Sequence, residues 1–160
     1  MTNIRDVKRS DLNHLAPIFV NAYSSDQTGE EWTIQTALPV LQYWYDRSPN
    51  DMRILAENEN QKITGAFFAD IKPWWDGPRM IDGELFVDSN QQSKGIGSIL
   101  LRTLLNRARE NYQATYFETI TFMPESIHPL KWYMDIGFEK VDNLTVINGN
   151  IEQTLKKLKA

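Results

Sequence analysis

The chain has 160 residues, 41% hydrophobic and 24% charged, with a net charge of −4, which fits one globular domain with a single core. It has no cysteine and two histidines, His14 and His128, so disulfides, thiolate metal sites and a cysteine nucleophile are excluded and no metal is expected. No basic stripe, long apolar run or signal-peptide core is present, so the expectations are no nucleic acid, no membrane and a cytoplasmic protein.

The first strand is expected over Ile4 to Val7. Ser10 is placed to cap a helix reaching Tyr23, with Leu12, Leu15, Ile18 and Phe19 on one face. Residues 24 to 31 read as a loop, and Ile34 to Asp46 as a second helix interrupted at Pro39. The pattern then turns to strands: Arg53 to Glu57, Ile63 to Ile71 and Met80 to Val87, joined by a turn at 58–61 and a loop at 72–78. A helix follows from about Gly95 to Glu110, with Ile96, Ile99, Leu100, Thr103, Leu104 and Ala108 on its apolar face. Tyr116 to Phe122 alternates like a strand. Pro129 to Ile136 reads as a short helix closed by Gly137. Phe138 to Val141 and Ile151 to Leu158 read as two late strands. Antiparallel strands followed by a βαβ-like unit imply a mixed α/β sheet.

The stretch VDSNQQSKGIGSILL, residues 87 to 101, places a strand, a glycine-bearing loop and a helix in succession. That arrangement aims backbone N–H groups and a positive helix end at an anion. Gly95 and Gly97 admit a phosphate close to the backbone, and Lys94 and Arg102 add charge. A P-loop is excluded, because Lys94 precedes the glycine pair. A Rossmann fingerprint has its first half, and Glu118 lies about 20 residues on, but Leu100 stands at the third glycine. The third reading is acyl-CoA.

Gln92-Ser93-Lys94-Gly95-Ile96-Gly97 resembles the Q/R-x-x-G-x-G/A signature of the GNAT superfamily of acyl-CoA-dependent N-acetyltransferases. The stretch HPLKWYMDIGFEKV, residues 128 to 141, is similar to the family's second signature, a helix carrying a tyrosine and ending at Gly-Phe: here Tyr133, Gly137 and Phe138. Ser126 and Pro129 stand where the family often has asparagine and alanine. The resemblance covers nearly the whole chain. It implies one domain over residues 1–160, with a mostly antiparallel sheet of about seven strands flanked by about four helices.

It also implies acetyl-CoA as co-substrate. The cradle would be Leu85, Phe86, Val87, Gln92, Ser93, Lys94, Gly95, Ile96, Gly97, Ser98, Ser126 and Tyr133, with the Leu85 and Val87 amides as oxyanion donors and Tyr133 as acid. Glu84 is the expected base, with Asp82, placed two residues away on the same strand face, Glu118 and water as rivals. No cysteine is available for an acetyl-enzyme relay, so direct attack in a ternary complex is expected. The acceptor wall would include Glu30, Glu31, Trp32, Tyr43, Trp44, Tyr45, Trp74, Trp75, Asp76 and Glu118. Carboxylates beside aromatic faces suit a cationic small-molecule amine. A peptide N-terminus or lysine, and a non-catalytic acyl-CoA sensor, are the alternatives. A homodimer is also open.

Overall fold

The computed structural model describes residues 2–24, 28–123 and 128–158, and of Asp82 the backbone alone. The chain forms two units, residues 1–120 and 121–160.

The first unit is built on a sheet of Asn3–Asp6 (β1), Arg53–Glu57 (β2), Ile63–Lys72 (β3), Arg79–Val87 (β4) and Tyr116–Glu118 (β5). The strands lie side by side in chain order. The first four pair antiparallel, as short connections allow. β5 joins β4 in parallel, and the crossover this requires is the helix Ile96–Tyr112 (α3). Two earlier helices, Leu12–Tyr23 (α1) and Ile34–Arg47 (α2), cover one sheet face. Leu15, Phe19, Ala37 and Leu41 there bury against Leu55, Ala66, Phe68 and Phe86. Val87 follows Phe86 and so points to the other face, where its side chain lies next to Gly97 of α3. Phe19, Phe67 and Phe68 are fully buried, each contributing about 1.5–3 kcal/mol by removal from water.

Several sequence expectations are corrected here. Ser10 does not cap α1: it lies within a 3₁₀ turn, Arg9–Asp11, closed when Asp11 accepts the Lys8 amide at 2.7 Å. Pro39 does not interrupt α2. Thr33 caps that helix, accepting the Thr36 amide at 3.2 Å, and the helix runs on to Arg47; Pro39 removes one hydrogen bond without enough strain to break a helix buried along one side. On α3, Leu101 is buried while Ile99 is partly exposed. The described residues hold five strands rather than about seven.

In the second unit, Leu130–Asp135 (α4) is the expected short helix. It ends in a Schellman motif: the Phe138 amide donates to Tyr133 at 3.0 Å and the Gly137 amide to Met134 at 3.1 Å. Gly137 has φ +99°, which glycine adopts without strain. Residues 138–141 form no strand, and Ile151–Leu158 is a helix (α5). The apolar residues Ile151, Leu155 and Leu158 recur at spacings of four and three, a helical period. Asn150 caps the turn by accepting the Gln153 amide at 3.0 Å.

Candidate active site

Among the described residues, β4 is held on both edges only at its start. β5 pairs with it at Arg79, Met80 and Ile81 and then leaves. From Asp82 to Val87, β4 has a strand neighbour on one side alone among the described residues. The register decides which groups face the open side. The Asp88 amide donates to the carbonyl of Thr64, near the start of β3, at 2.9 Å. Counting back by twos along an antiparallel ladder turns Phe86 and Glu84 toward β3 and turns the N–H and C=O of Leu85 and Val87 outward. Two side chains confirm the count. The Tyr23 hydroxyl donates to the Leu85 carbonyl, and Gln92 Nε2 donates to the Val87 carbonyl, each at 3.2 Å.

The departure of β5 coincides with a bulge in β4. Phe68 pairs with Glu84, but Ala69 pairs with Asp82, so Gly83 is the extra residue. A Cβ at Gly83 would stand 2.1 Å from the Phe68 carbonyl oxygen and 3.2 Å from the Trp44 ring; no side chain fits. The bulge breaks the period of two between positions 82 and 84. The expectation that Asp82 and Glu84 share a face rested on an unbroken period of two, and the Asp82 side chain lies outside the described residues. Glu84 pairs with Phe68 and shares its face with α1 and α2. Sequence reasoning missed this bulge, although a glycine inside a strand is a usual signal for one.

Beyond Val87 the chain enters a 3₁₀ turn, Ser89–Gln91, capped by Asp88. Lys94 Nζ donates to Gln91 Oε1 at 3.0 Å and to the Asn90 carbonyl at 3.4 Å, which folds the loop on itself. Ser93 and Gly95 take positive φ, +62° and +79°. Gly95 is the N-cap of α3, and no side chain caps the helix. The first-turn amides of Ile96, Gly97 and Ser98 lack intrahelical acceptors by geometry. No acidic residue stands in that turn, so nothing on the helix competes with an anion for its positive end. Ile96 is buried and offers only its amide. A Cβ at Gly97 would meet nothing nearer than Val87, at 3.9 Å, and φ there is ordinary. Packing within the chain does not require glycine at 97.

The acceptor-side residues separate into two groups. Glu30 accepts the Trp32 indole N–H at 2.7 Å, and the Trp32 ring meets Phe19 edge-on at 5.1 Å. Phe19 contacts Tyr23 and Phe86 at 4.6 and 5.2 Å between centroids. The structure thus brings Glu30 and Trp32 into the aromatic cluster that reaches the open edge of β4, along with Trp44 over Gly83. Glu31 is exposed. The Arg53 guanidinium stacks on the Tyr45 ring, its Cζ 3.8 Å from the ring centroid.

Trp75 and Glu118 lie elsewhere. Trp75 is exposed in the connection between β3 and β4, where Pro73, Trp74 and Trp75 line an open depression of about 400 Å³. That connection precedes Arg79, eight residues before Val87, a span of roughly 26 Å along a strand. Glu118 accepts Lys72 at 3.0 Å and also binds Arg79. Burial pushes its pKa up, but the hydrogen bonds from Lys72 and Arg79 prevail and hold it below the ordinary carboxylate range. A carboxylate so engaged is a poor base. Ser126 lies outside the described residues.

In the second unit, Tyr133 is buried on α4, its ring 4.8 Å from Trp132 and 5.0 Å from Phe138. Among the described residues, no helix is long and apolar enough to cross a membrane, and no group of three His, Cys, Asp or Glu could hold a metal ion.

Comparison with solved structures finds close folds at low identity. An integron cassette protein from the mobile metagenome of V. cholerae superposes with a TM-score of 0.74 at 19% identity, covering 99% of this chain and 98% of its own. A possible acetyltransferase from Clostridium difficile 630 gives 0.74 at 14%, covering 94% and 99%. An aminoglycoside antibiotic 6′-N-acetyltransferase from Acinetobacter baumannii gives 0.68 at 16%, covering 94% and 99%. A search of curated proteins finds no match. The splayed β4, the uncapped glycine turn and the tyrosine helix all fall within residues 16–148, which match the model of the acetyltransferase (GNAT) family; the chain belongs to that family.

Proposed function

We propose that the chain transfers an acetyl group from acetyl-CoA to the primary amine of a cationic small molecule, by direct attack in a ternary complex. One observation carries the reading: β4 turns the N–H groups of Leu85 and Val87 to its open edge, and the Ser89–Gln91 turn then leads to the N-terminus of α3, whose first-turn amides have no side-chain cap. The helix end and Gly95–Gly97 suit the pyrophosphate of CoA. The β4 donors suit the thioester carbonyl and the oxyanion that develops on it.

The neutral amine attacks the thioester carbon, a C–N bond forms and the oxyanion collapses with loss of the C–S bond. Glu84, through water, takes the proton that the amine sheds, because an amine of pKa near 10.4 is otherwise protonated at neutral pH. Tyr133, at the family's acid position, gives a proton to the departing thiolate. Glu30 and Trp32, at the end of the cluster that reaches β4, favour a cationic acceptor. The fold likeness to an aminoglycoside acetyltransferase agrees with that class without selecting it.

The test is thiol release from acetyl-CoA across polyamines, aminoglycosides and short peptides, with acetyl-CoA binding measured by calorimetry. Release with small cationic amines is expected. Glu84→Gln and Tyr133→Phe are each expected to lower kcat by about 10²-fold or more. Release with peptides alone would move the acceptor to protein. Binding without any release would leave a sensor. Unchanged kcat in both variants would remove the two assignments.

A further inference from the structure

The geometry points to Tyr23 as a positioning residue for the acyl group, an inference that rests on the acyl-CoA reading above. Tyr23 is the last residue of α1. Its ring is held by Phe19 and Phe86, at 4.6 and 6.4 Å between centroids. Its hydroxyl reaches out of that cluster and donates to the Leu85 carbonyl at 3.2 Å. Residue 85 is one of two whose carbonyls the register turns to the open edge; the other, Val87, takes Gln92 Nε2 at 3.2 Å.

A bare strand edge offers donors and acceptors alternately and therefore recruits another strand. On β4 both outward acceptors are already engaged by side chains, while the N–H groups of the same two residues face the same way. The edge is biased toward a ligand that brings an acceptor, such as a thioester carbonyl or its oxyanion, and away from extended peptide. Tyr23 achieves this from the helix whose end leads into the loop of Glu30 and Trp32. It therefore fixes the acceptor wall relative to the acyl donors, where small displacements are costly to rate.

Acetyl-CoA and CoA differ in the acetyl carbonyl that this edge would hold, so their comparison isolates the effect. Calorimetric affinities of both ligands are measured for the wild type, Tyr23→Phe and Tyr112→Phe. Tyr112 lies at the far end of α3, its hydroxyl bonded to Asp51, and serves as a control for losing a tyrosine hydrogen bond. Tyr23→Phe is expected to weaken acetyl-CoA by about three- to tenfold, the size of one neutral hydrogen bond, and CoA by less than about twofold. Tyr112→Phe is expected to leave the ratio of the two affinities unchanged. Equal loss for both ligands, or no loss for either, would overturn the inference and leave the acyl-CoA reading intact. Failure of the wild type to bind either ligand would overturn the acyl-CoA reading itself. If Tyr23→Phe does not fold, the Leu85 carbonyl carbon of the wild type is followed by NMR. It is expected to shift more with acetyl-CoA than with CoA, and equal shifts would overturn the inference.

Discussion

Two glycines of the site are glycine for opposite reasons, and substitution separates them. At Gly83 the cause is internal: a Cβ 2.1 Å from the Phe68 carbonyl oxygen has no room, and the neighbour is backbone that cannot swing aside. Gly83→Ala is expected to destabilise the fold by about 3 kcal/mol or more, read from the urea midpoint. At Gly97 the proposed cause lies outside the chain, in the pyrophosphate of CoA. Its Cβ position is open, and alanine in a helix is favoured over glycine by up to about 1 kcal/mol. Gly97→Ala is therefore expected to hold or raise the midpoint while weakening acetyl-CoA about tenfold or more, through loss of close amide contacts to a charged group. A Gly97→Ala protein that binds normally would remove the phosphate reading of the loop. The sequence marks Gly97 as special through its spacing with Gly95 and Gln92. It marks Gly83 only as a glycine in a strand, and the clash that fixes it comes from a partner strand fifteen residues earlier in the chain.

The elements were legible where their causes are local. The span of α3, the glycine turn before it and the Gly137 stop after α4 depend on residues within one or two turns, and each lies where pattern places it. Misreadings arose where tertiary context decides. Pro39 is tolerated because α2 is pinned along one side, and β5 is short because its neighbour diverges at Ile81. Tyr23 reads in sequence as the end of an amphipathic helix, and only the fold brings its hydroxyl to Leu85. The far end of α3 shows the same dependence. Asp51, in the turn before β2, accepts the Tyr112 hydroxyl and Asn111 Nδ2, the latter at 2.8 Å, and so ties the helix end to the sheet across some sixty residues. Burial, then the Asp51 carboxylate, push the Tyr112 phenol up to about 12. An unfolded tyrosine ionises near pH 10, so this contribution is intact below pH 10 and is lost as pH rises through about 12. Thermal unfolding between pH 8 and 11.5 is expected to show that loss in the wild type and a shallower one in Tyr112→Phe, which starts about 1 kcal/mol lower. Parallel curves would rule out the Tyr112 bond as the cause.

Across the first unit, acidic groups form ties between segments that the chain keeps apart, and this sets how it meets acid. Asp11 binds Arg5 at 2.7 Å, and Arg5 in turn binds Glu57 of β2 at 2.8 Å, joining β1, β2 and the start of α1. Asp51 ties α3 to the turn before β2, and Glu118 ties β5 to Lys72 and Arg79. In each case burial alone would raise the carboxyl pKa, but the bonds to Arg5 and the Lys8 amide, to Tyr112 and Asn111, and to Lys72 and Arg79 prevail and lower it. A carboxylate with a lowered folded pKa binds fewer protons than its unfolded counterpart near pH 4, so stability falls as pH falls. The contribution is complete above the unfolded values, about 3.9 for Asp and 4.3 for Glu, and it disappears as pH drops toward the folded ones. Urea midpoints are thus expected to change little between pH 7 and 5 and to fall steeply below 4. Asp11→Asn removes one such group: its midpoint at pH 7 is expected to be lower than wild type, because Arg5 loses its carboxylate partner. Its further loss between pH 5 and 3 is expected to be smaller, because nothing at position 11 remains to titrate. If Asp11→Asn loses as much as the wild type over that interval, the acid sensitivity resides in other carboxylates and the Arg5–Asp11–Glu57 tie is not what acid breaks.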